Sequence, residues 1–150
     1  MFKHILVPVD GSDTALFAVQ KATALAKAFG SEVTTVYVID PYPFTGVGAD
    51  FAYGQDQYLS AASAEAKTAL QAVADQFEGT GLKVNQRVEE SSSASRGILD
   101  AAQAVGADLI VMGSHGRRGL EKLVLGSVAQ RVLAAAVLPV LVVNARNAAD

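Results

Sequence analysis

The sequence predicts an α/β fold in which a doubly wound, five-stranded parallel sheet carries helices on both faces. Short apolar runs rich in β-branched residues alternate along the chain with longer segments of helical period. The resulting order, β-α-β-α-β-α-β-α-β, implies parallel strands joined by right-handed helical crossovers. With 150 residues, of which 51% are hydrophobic, the chain has the size of one domain, and no repeat or linker divides residues 1–150.

The first strand is predicted at 3–9, KHILVPV, and is followed by the turn Asp10-Gly11-Ser12. Ser12 or Asp13 then caps the first helix, which ends at Gly30 because glycine is the usual residue after a helix C-terminus. The buried face of this helix is predicted from apolar residues spaced four, three and four apart: Ala15, Val19, Ala22 and Ala26.

The second strand is predicted at 32–39, EVTTVYVI. The segment 40–55 contains two prolines and three glycines and has no clear period, so it predicts a long loop or flap. A second helix is expected from about 56 to 78, and residues 82–88 alternate as a third strand. The buried stripe predicted for the second helix is Ala66, Leu70, Val73 and Phe77.

The remaining elements follow the same alternation. A third helix is predicted at 93–105, a fourth strand at 107–113 and a glycine-rich loop at 113–125. A fourth helix at 127–137 and a fifth strand at 139–143 complete the predicted fold. The third helix is predicted to turn Ile98, Ala101 and Ala102 inward.

Composition excludes several classes of protein. The 12 basic and 15 acidic residues give a net charge of −3, which argues against a nucleic-acid partner bound through a broad basic face. Without cysteine there is no disulfide framework, thiolate metal site or cysteine nucleophile. The longest apolar run, 132–143, contains Pro139 and is too short to span a bilayer. Because the N-terminus also lacks the apolar region of a signal peptide, we expect a cytoplasmic protein without a membrane partner.

Two strand ends carry unusual residues, and in an open α/β sheet ligands bind beyond the carboxyl ends of the strands where the strand order reverses. One is the segment 8–12 after the first strand, PVDGS, and the other is 113–119 after the fourth, GSHGRRG. If the strand order is 3-2-1-4-5, these ends are neighbours at the reversal. Both segments then line one crevice.

The glycine-rich loop is the strongest signal in the sequence. Gly113, Gly116 and Gly126-Ser127 follow the pattern G-x2-G-x9-G-S. Glycines let backbone amides approach an anion, and a helix beginning at Gly126-Ser127 would present free amides and the positive end of its dipole to phosphate. The alternative is that the glycines only make turns and that Ser127 is an N-cap, with Gln130 completing a capping box. The chain has neither a P-loop nor the G-x-G-x-x-G dinucleotide fingerprint.

The sequence resembles the universal stress protein family over nearly its whole length. The resemblance rests on the opening HILVPVDGSDTA, on the ending LPVLVV and above all on VMGSHGRRGLEKLVLGSVAQRVL at 111–133, which is typical of the ATP-binding branch. It implies the strand order 3-2-1-4-5. It also implies ATP or another adenine nucleotide in the crevice, together with Mg²⁺ held mainly by the phosphates.

The resemblance also implies which residues bind the nucleotide. Asp10 would accept hydrogen bonds from the ribose hydroxyls, and Val38 would contact adenine. As a cation of the glycine-rich loop, Arg117 would lie near any phosphates bound there, which follows from its position and not from the resemblance. The whole predicted set runs from the base to the terminal phosphates: Pro8, Val9, Asp10, Val38, Met112, Gly113, Ser114, His115, Gly116, Arg117, Gly126, Ser127 and Val128.

Two departures from the family pattern qualify this expectation. Ala129 stands where nucleotide-binding members carry Ser or Thr, so one hydroxyl contact to phosphate, worth about 0.5–1.5 kcal/mol, is lost. Glu90-Ser91-Ser92 replaces a Gly-x-Pro turn after the third strand and alters the expected conformation of that loop.

Several of these residues have a purely structural alternative. Asp10 could form an Asx turn or cap the helix instead of holding ribose, and His115 could be a partly exposed loop histidine.

A hydrolase based on Ser114 and His115 is not expected, because there is no G-x-S-x-G elbow. We therefore predict no catalytic residues. No metal site is predicted either, since Asp40, Asp50 and Asp56 match no ligand spacing. His4, far from the carboxyl ends, is predicted to be structural.

Three functions follow from this sequence. The leading hypothesis is an ATP-binding stress-response or regulatory protein with the flap at 40–55 as one candidate moving element. The second is a slow ATPase or phosphotransferase that uses Asp10 and the loop cations Arg117, Arg118 and Lys122. The third is an interaction module whose glycine loop is empty. We expect a homodimer, because the apolar strand at 139–143 would form an exposed sheet edge and, by the resemblance, the family pairs through it.

Overall fold

The computed structural model describes residues 1–41, 49–115 and 125–144, those of 49–53 as backbone only. The elements of this part of the chain alternate as predicted. They are β1 (His4–Pro8), α1 (Asp13–Phe29), β2 (Glu32–Ile39), α2 (Ala49–Gln76), β3 (Val84–Glu90), α3 (Ala94–Val105), β4 (Leu109–Gly113), α4 (Ser127–Ala135) and β5 (Val140–Val143).

The five strands form one parallel sheet in the order β3-β2-β1-β4-β5. This confirms the predicted fold class and strand order. The order reverses between β1 and β4, which pair directly through Ile5 opposite Leu109 and Leu6 opposite Ile110. The carboxyl ends of these two strands therefore mark the position at which an open α/β sheet binds its ligands.

Side chains of β1 alternate between two cores, one on each face of the sheet. Ile5 and Val7 pack with α1 and α2, whereas Leu6 packs with α3 and α4. All three are completely buried, and burial of each such side chain stabilises the fold by about 1.5–3 kcal/mol. The predicted inward faces of α1, α2 and α3 are confirmed, since every residue named for them is buried.

The predicted ends of α1 are also confirmed. The Ser12 side chain accepts a hydrogen bond from the Ala15 amide, and Gly30 follows the helix with a left-handed φ of 68°. α3 has the same construction, with Ser93 as its N-cap and Gly106 at a φ of 70°. Capping of this kind fixes where each helix starts relative to the strand before it.

Several element boundaries differ from the predictions by two residues or more. α2 begins at Ala49, so residues 49–55 of the predicted flap are helical, since Gly54 inside a helix costs only about 1 kcal/mol. The rest of the predicted flap, 42–48, lies outside the described residues. β3 runs over Val84–Glu90 instead of 82–88 because its pairing with β2 continues to Ile39 opposite Glu90. α4 ends at Ala135 instead of 137, ahead of Pro139.

The opposite, amino end of β1 and β4 is fastened by Asp108. Its carboxylate accepts hydrogen bonds from the amides of Lys3, at 2.9 and 3.1 Å, and His4, at 3.0 Å. Burial raises the pKa of Asp108, but the hydrogen bonds from these amides outweigh it and hold the pKa below its usual value. The His4 ring bonds to Thr34 Oγ1 at 2.6 Å, in keeping with the structural role predicted for this histidine.

Candidate functional site

The turn after β1 carries the first predicted site residue, Asp10. Its Oδ1 accepts a hydrogen bond from the Ser12 amide at 2.9 Å, and Gly11 between them has a φ of 84°. The structure thus contains the Asx turn that the sequence offered as the alternative to ligand binding. The two roles are compatible, because a carboxylate has about four acceptor positions and this turn uses one of them.

Gly113 at the end of β4 allows a close approach to α1. A Cβ atom at this position would lie 2.5 Å from Cγ2 of Thr14 and 3.2 Å from its backbone carbonyl carbon. The first glycine of the motif therefore brings the start of α1 against the end of β4, at the mouth of the crevice.

Gly126 closes the loop back onto the end of β4. Its amide donates to the Ser114 carbonyl oxygen at 2.8 Å, and a Cβ atom at Gly126 would stand 2.7 Å from that same oxygen. The Ser114 amide in turn donates to the Val143 carbonyl at 2.9 Å. These bonds join β4, β5 and the start of α4 at one point, and they leave no room for a side chain at Gly126.

The capping box that the sequence offered as the alternative to phosphate binding does not form at the start of α4. The N-cap is Gly126, with no side-chain hydrogen bond at the cap, and Ser127 is the first helical residue. Gln130 donates its side-chain amide to the Leu125 carbonyl instead of returning to the N-cap. With its N-cap at Gly126, α4 starts with the amides of Ser127 and Val128, which have no acceptor within the helix.

His115 and Ser114 interact through their side chains. Ser114 Oγ lies 3.1 Å from His115 Nδ1, and His115 Nε2 is buried without a hydrogen-bond partner among the described parts of the chain. Only 5% of Ser114 is exposed, so its hydroxyl is shielded from a substrate although it lies within hydrogen-bond distance of the ring. What the arrangement does provide is a buried ring nitrogen beside the start of α4.

Val38 lies at the other end of the crevice, where β2 extends beyond the end of β1. The β1–β2 register ends at Pro8 opposite Val36, but β2 continues beside β3 to Ile39. The Val36 carbonyl accepts from the Val9 amide, whereas the Ile39 carbonyl accepts from Ser91 on the β3 side. Since alternate residues of a strand direct their backbone groups to opposite sides, the amide and carbonyl of Val38 point toward the β1 side, past its last paired residue.

The structure thus brings most of the predicted set to one edge of the sheet. Val9 and Met112 belong to it mainly through their backbone, since their side chains are buried in the cores on either face. The methyl group of Ala129 is also buried, in the core beneath α3 and α4. Gly116 and Arg117 lie outside the described residues, as do Arg118 and Lys122.

Two residues near this edge were missed by the sequence analysis, Thr14 and Gly97. Thr14 carries no signal that marks it as the neighbour of Gly113. Gly97 does carry one, because a glycine within a helix is unfavourable and calls for a packing reason.

A separate cleft of about 470 Å³ opens between α1 and α2, on the face of the sheet that these two helices cover. It shares Val9, Gly11 and Ser12 with the crevice, but its other walls come from α1 and from the middle of α2, around Ala69 and Val73. Neither Gly113 nor Gly126, the motif glycines that the structure describes, lines this cleft. In the described part of the chain, no set of three or more acidic, histidine or cysteine residues could hold a metal ion, and no helix is long and apolar enough to cross a membrane.

Comparison with known proteins gives a consistent result over the full domain. A model of the universal stress protein family matches residues 1–144. Universal stress protein MJ0531 of Methanocaldococcus jannaschii is 40% identical over 144 residues, which cover 96% of this chain and 83% of that protein. A solved structure of MJ0577 from the same organism is 31% identical, covers 95% of this chain and 96% of its own, and has a TM-score of 0.81. A universal stress protein crystallised in complex with cAMP is 26% identical over 95% of this chain and 97% of its own, with a TM-score of 0.71.

Proposed function

Since this chain belongs to the universal stress protein family, we propose that it binds an adenine nucleotide, with ATP the expected ligand, at the carboxyl ends of β1 and β4. The observation that carries the proposal is the Gly126–Ser114 hydrogen bond of 2.8 Å. It holds the start of α4 directly beside the point at which the strand order reverses. The cAMP complex of a related protein supports the same class of ligand.

The phosphates are assigned to the start of α4. Free amides and the positive end of the helix dipole favour an anion there, and the amides of Ser127 and Val128 are the first in line. The buried Nε2 of His115 adds a ring nitrogen that gains a partner when a phosphate or ribose oxygen is present. Gly116 and Arg117 belong to the proposed site by sequence. Mg²⁺ would be held mainly by the phosphates.

The base is assigned to the Val38 end of the crevice. The ends of β4 and β2 are separated by two strand spacings, about 10 Å, which suits the distance from phosphate to base in a nucleotide. The backbone of Val38 offers one donor and one acceptor on the same side. Adenine presents an amino donor next to a ring nitrogen that accepts, whereas guanine has a carbonyl acceptor in place of that amino group. Asp10, between the two ends, would accept from the ribose hydroxyls.

The proposed role is regulatory: binding changes the shape or the partner of the protein. Phosphoryl transfer needs a positioned base or water and strong charge stabilisation, and the sequence offers cations in the loop but no clear base. Any hydrolysis of ATP is accordingly expected to be slow. A cytoplasmic location stays a prediction.

Calorimetric titration of nucleotide-stripped protein with ATP and Mg²⁺ tests the proposal. We expect saturable binding of one ATP per chain, with GTP bound more weakly. Gly126→Val should abolish binding, since its side chain would displace the Ser114 carbonyl. Gly79→Ala is the matched control, because it strains a left-handed glycine away from the crevice where a Cβ meets nothing within 4 Å. No heat and no thermal stabilisation of the wild type at millimolar ATP would refute the proposal and leave the interaction module as the better hypothesis.

We also propose that the protein is a homodimer that pairs through β5 and the residues around it, 139–143. β5 is an edge strand, and among the described residues Leu141 within it, Val137 just before it and Leu133 on α4 have exposed apolar side chains. An apolar edge of this kind favours pairing with a second copy. Sedimentation at micromolar concentration should give a mass of two chains, and Leu141→Lys should give one. A wild type that sediments as a single chain contradicts this arrangement without bearing on nucleotide binding.

A further inference from the structure

Gly97 is the fourth residue of α3 and is buried against the sheet. Its φ is not among the positive values of the chain, so the backbone does not require glycine there. Glycine inside a helix is less favourable than alanine. The reason for glycine at this position must therefore lie in what the helix packs against.

The neighbour that excludes a side chain is Val38. A Cβ atom at Gly97 would lie 2.7 Å from Cγ1 and 3.0 Å from Cγ2 of Val38, and 3.2 Å from Cβ of Ser91. Rotation of Val38 does not relieve the contact, because both methyl groups meet the new atom and a β-branched side chain has few alternative rotamers. Either α3 moves away from the sheet or Val38 is displaced away from α3.

Val38 is held by a neighbouring strand on one side only, so the contact would displace it. It belongs to the part of β2 that continues beside β3 after the register with β1 has ended. Its side chain is only half-buried, and its backbone groups face the open side of the crevice. A displacement of the side chain is therefore transmitted to the amide and carbonyl that the nucleotide base would meet.

We propose that Gly97 is a positioning residue for the base. Because glycine has no side chain, it leaves the space between α3 and β2 to Val38 and so fixes the position of Val38. The inference rests on the proposed nucleotide function. It differs from close packing alone, in which Gly97 would affect stability but not the recognition of the base. The phosphate end, held by α4, should not feel the change.

Gly97→Ala tests this with two probes, ATP and inorganic tripolyphosphate, titrated against the ligand-free protein. We expect ATP to bind about tenfold more weakly or worse, the usual effect of one misplaced methyl group in a binding pocket, while the affinity for tripolyphosphate is unchanged. Ala101→Gly, one turn further along the same buried face of α3, is the matched control and should leave both affinities as in the wild type.

A second variant pair keeps the inference testable if Gly97→Ala disturbs the fold. Val38→Ala removes the methyl groups that the new Cβ would strike, so adding Gly97→Ala in that background should cause no further loss of ATP affinity. Equal ATP binding by Gly97→Ala and wild type would overturn the inference, as would a loss that persists in full in the Val38→Ala background or that is shared by tripolyphosphate. A wild type that does not bind ATP would instead refute the proposed function, and this inference with it.

Discussion

Gly113→Ala should destabilise the protein by an amount that can be worked from its contact with Thr14. The new Cβ would stand 2.5 Å from Thr14 Cγ2, about 1 Å inside the best carbon–carbon separation. Thr14 is β-branched and lies in the first turn of α1, and its backbone carbonyl carbon is only 3.2 Å from the same point, so the helix itself has to move. Overpacking of this kind costs about 1–3 kcal/mol.

The assay is urea unfolding of the ligand-free protein, followed by circular dichroism, for the wild type, Gly113→Ala, Thr14→Ala and the double variant. Thr14→Ala removes Cγ2 and leaves contacts no shorter than 3.2 Å, so more than half of the lost free energy should return in the double variant. The reasoning fails if Gly113→Ala unfolds within about 0.5 kcal/mol of the wild type, the ordinary scatter of harmless substitutions. It fails equally if the cost is the same with and without the threonine side chain.

Two further predictions concern the ends of β1. Asp108→Asn should lower the free energy of unfolding at pH 7 by about 1 kcal/mol, since amides that met a carboxylate meet a neutral oxygen instead. The folded pKa of Asp108 lies below the unfolded value, so its stabilisation is present above about pH 3.9 and is lost as the pH falls through the folded pKa. The difference in unfolding free energy between Asp108→Asn and the wild type should therefore disappear in acid. A difference that is independent of pH would contradict this. Ser12→Ala should cost about 1 kcal/mol through loss of the α1 cap, equivalent to a fall of about 2–4 °C in Tm, whereas Ser60→Ala on the exposed side of α2 should change Tm little.

Most of the fold could be predicted from the sequence, because its helices and strands follow from local patterns. The apolar period of α1 and the capping residues at Ser12 and Gly30 are properties of a few neighbouring residues, and all were predicted. The boundaries of β3 were not, since Glu89 and Glu90 look unlike strand residues. At the sheet edge they are tolerated, because only backbone pairing with β2 decides where an edge strand ends.

In the candidate site, too, the local features could be predicted from the sequence and the long-range contacts could not. The turn at Asp10 and the glycines at Gly113 and Gly126 stand out in the sequence because their residue types are unusual after strands. The contacts that give those glycines their purpose, Thr14 for one and the Ser114 carbonyl for the other, join residues about 100 and 12 positions apart. No local pattern records such distances. The same holds for Gly97 and Val38, which lie on different elements.

The tight fit at Gly113 and Gly126 bears on how the motif is inherited. Gly113 is needed for the start of α1 to pack against β4, and Gly126 is needed for the loop to close on β4, whether or not an anion lies against the start of α4. A descendant that had stopped using nucleotides would still be disfavoured for replacing either one, because the penalty falls on folding before it falls on any ligand. Retention of these glycines in such a lineage would report intact packing at the two positions and not a bound nucleotide.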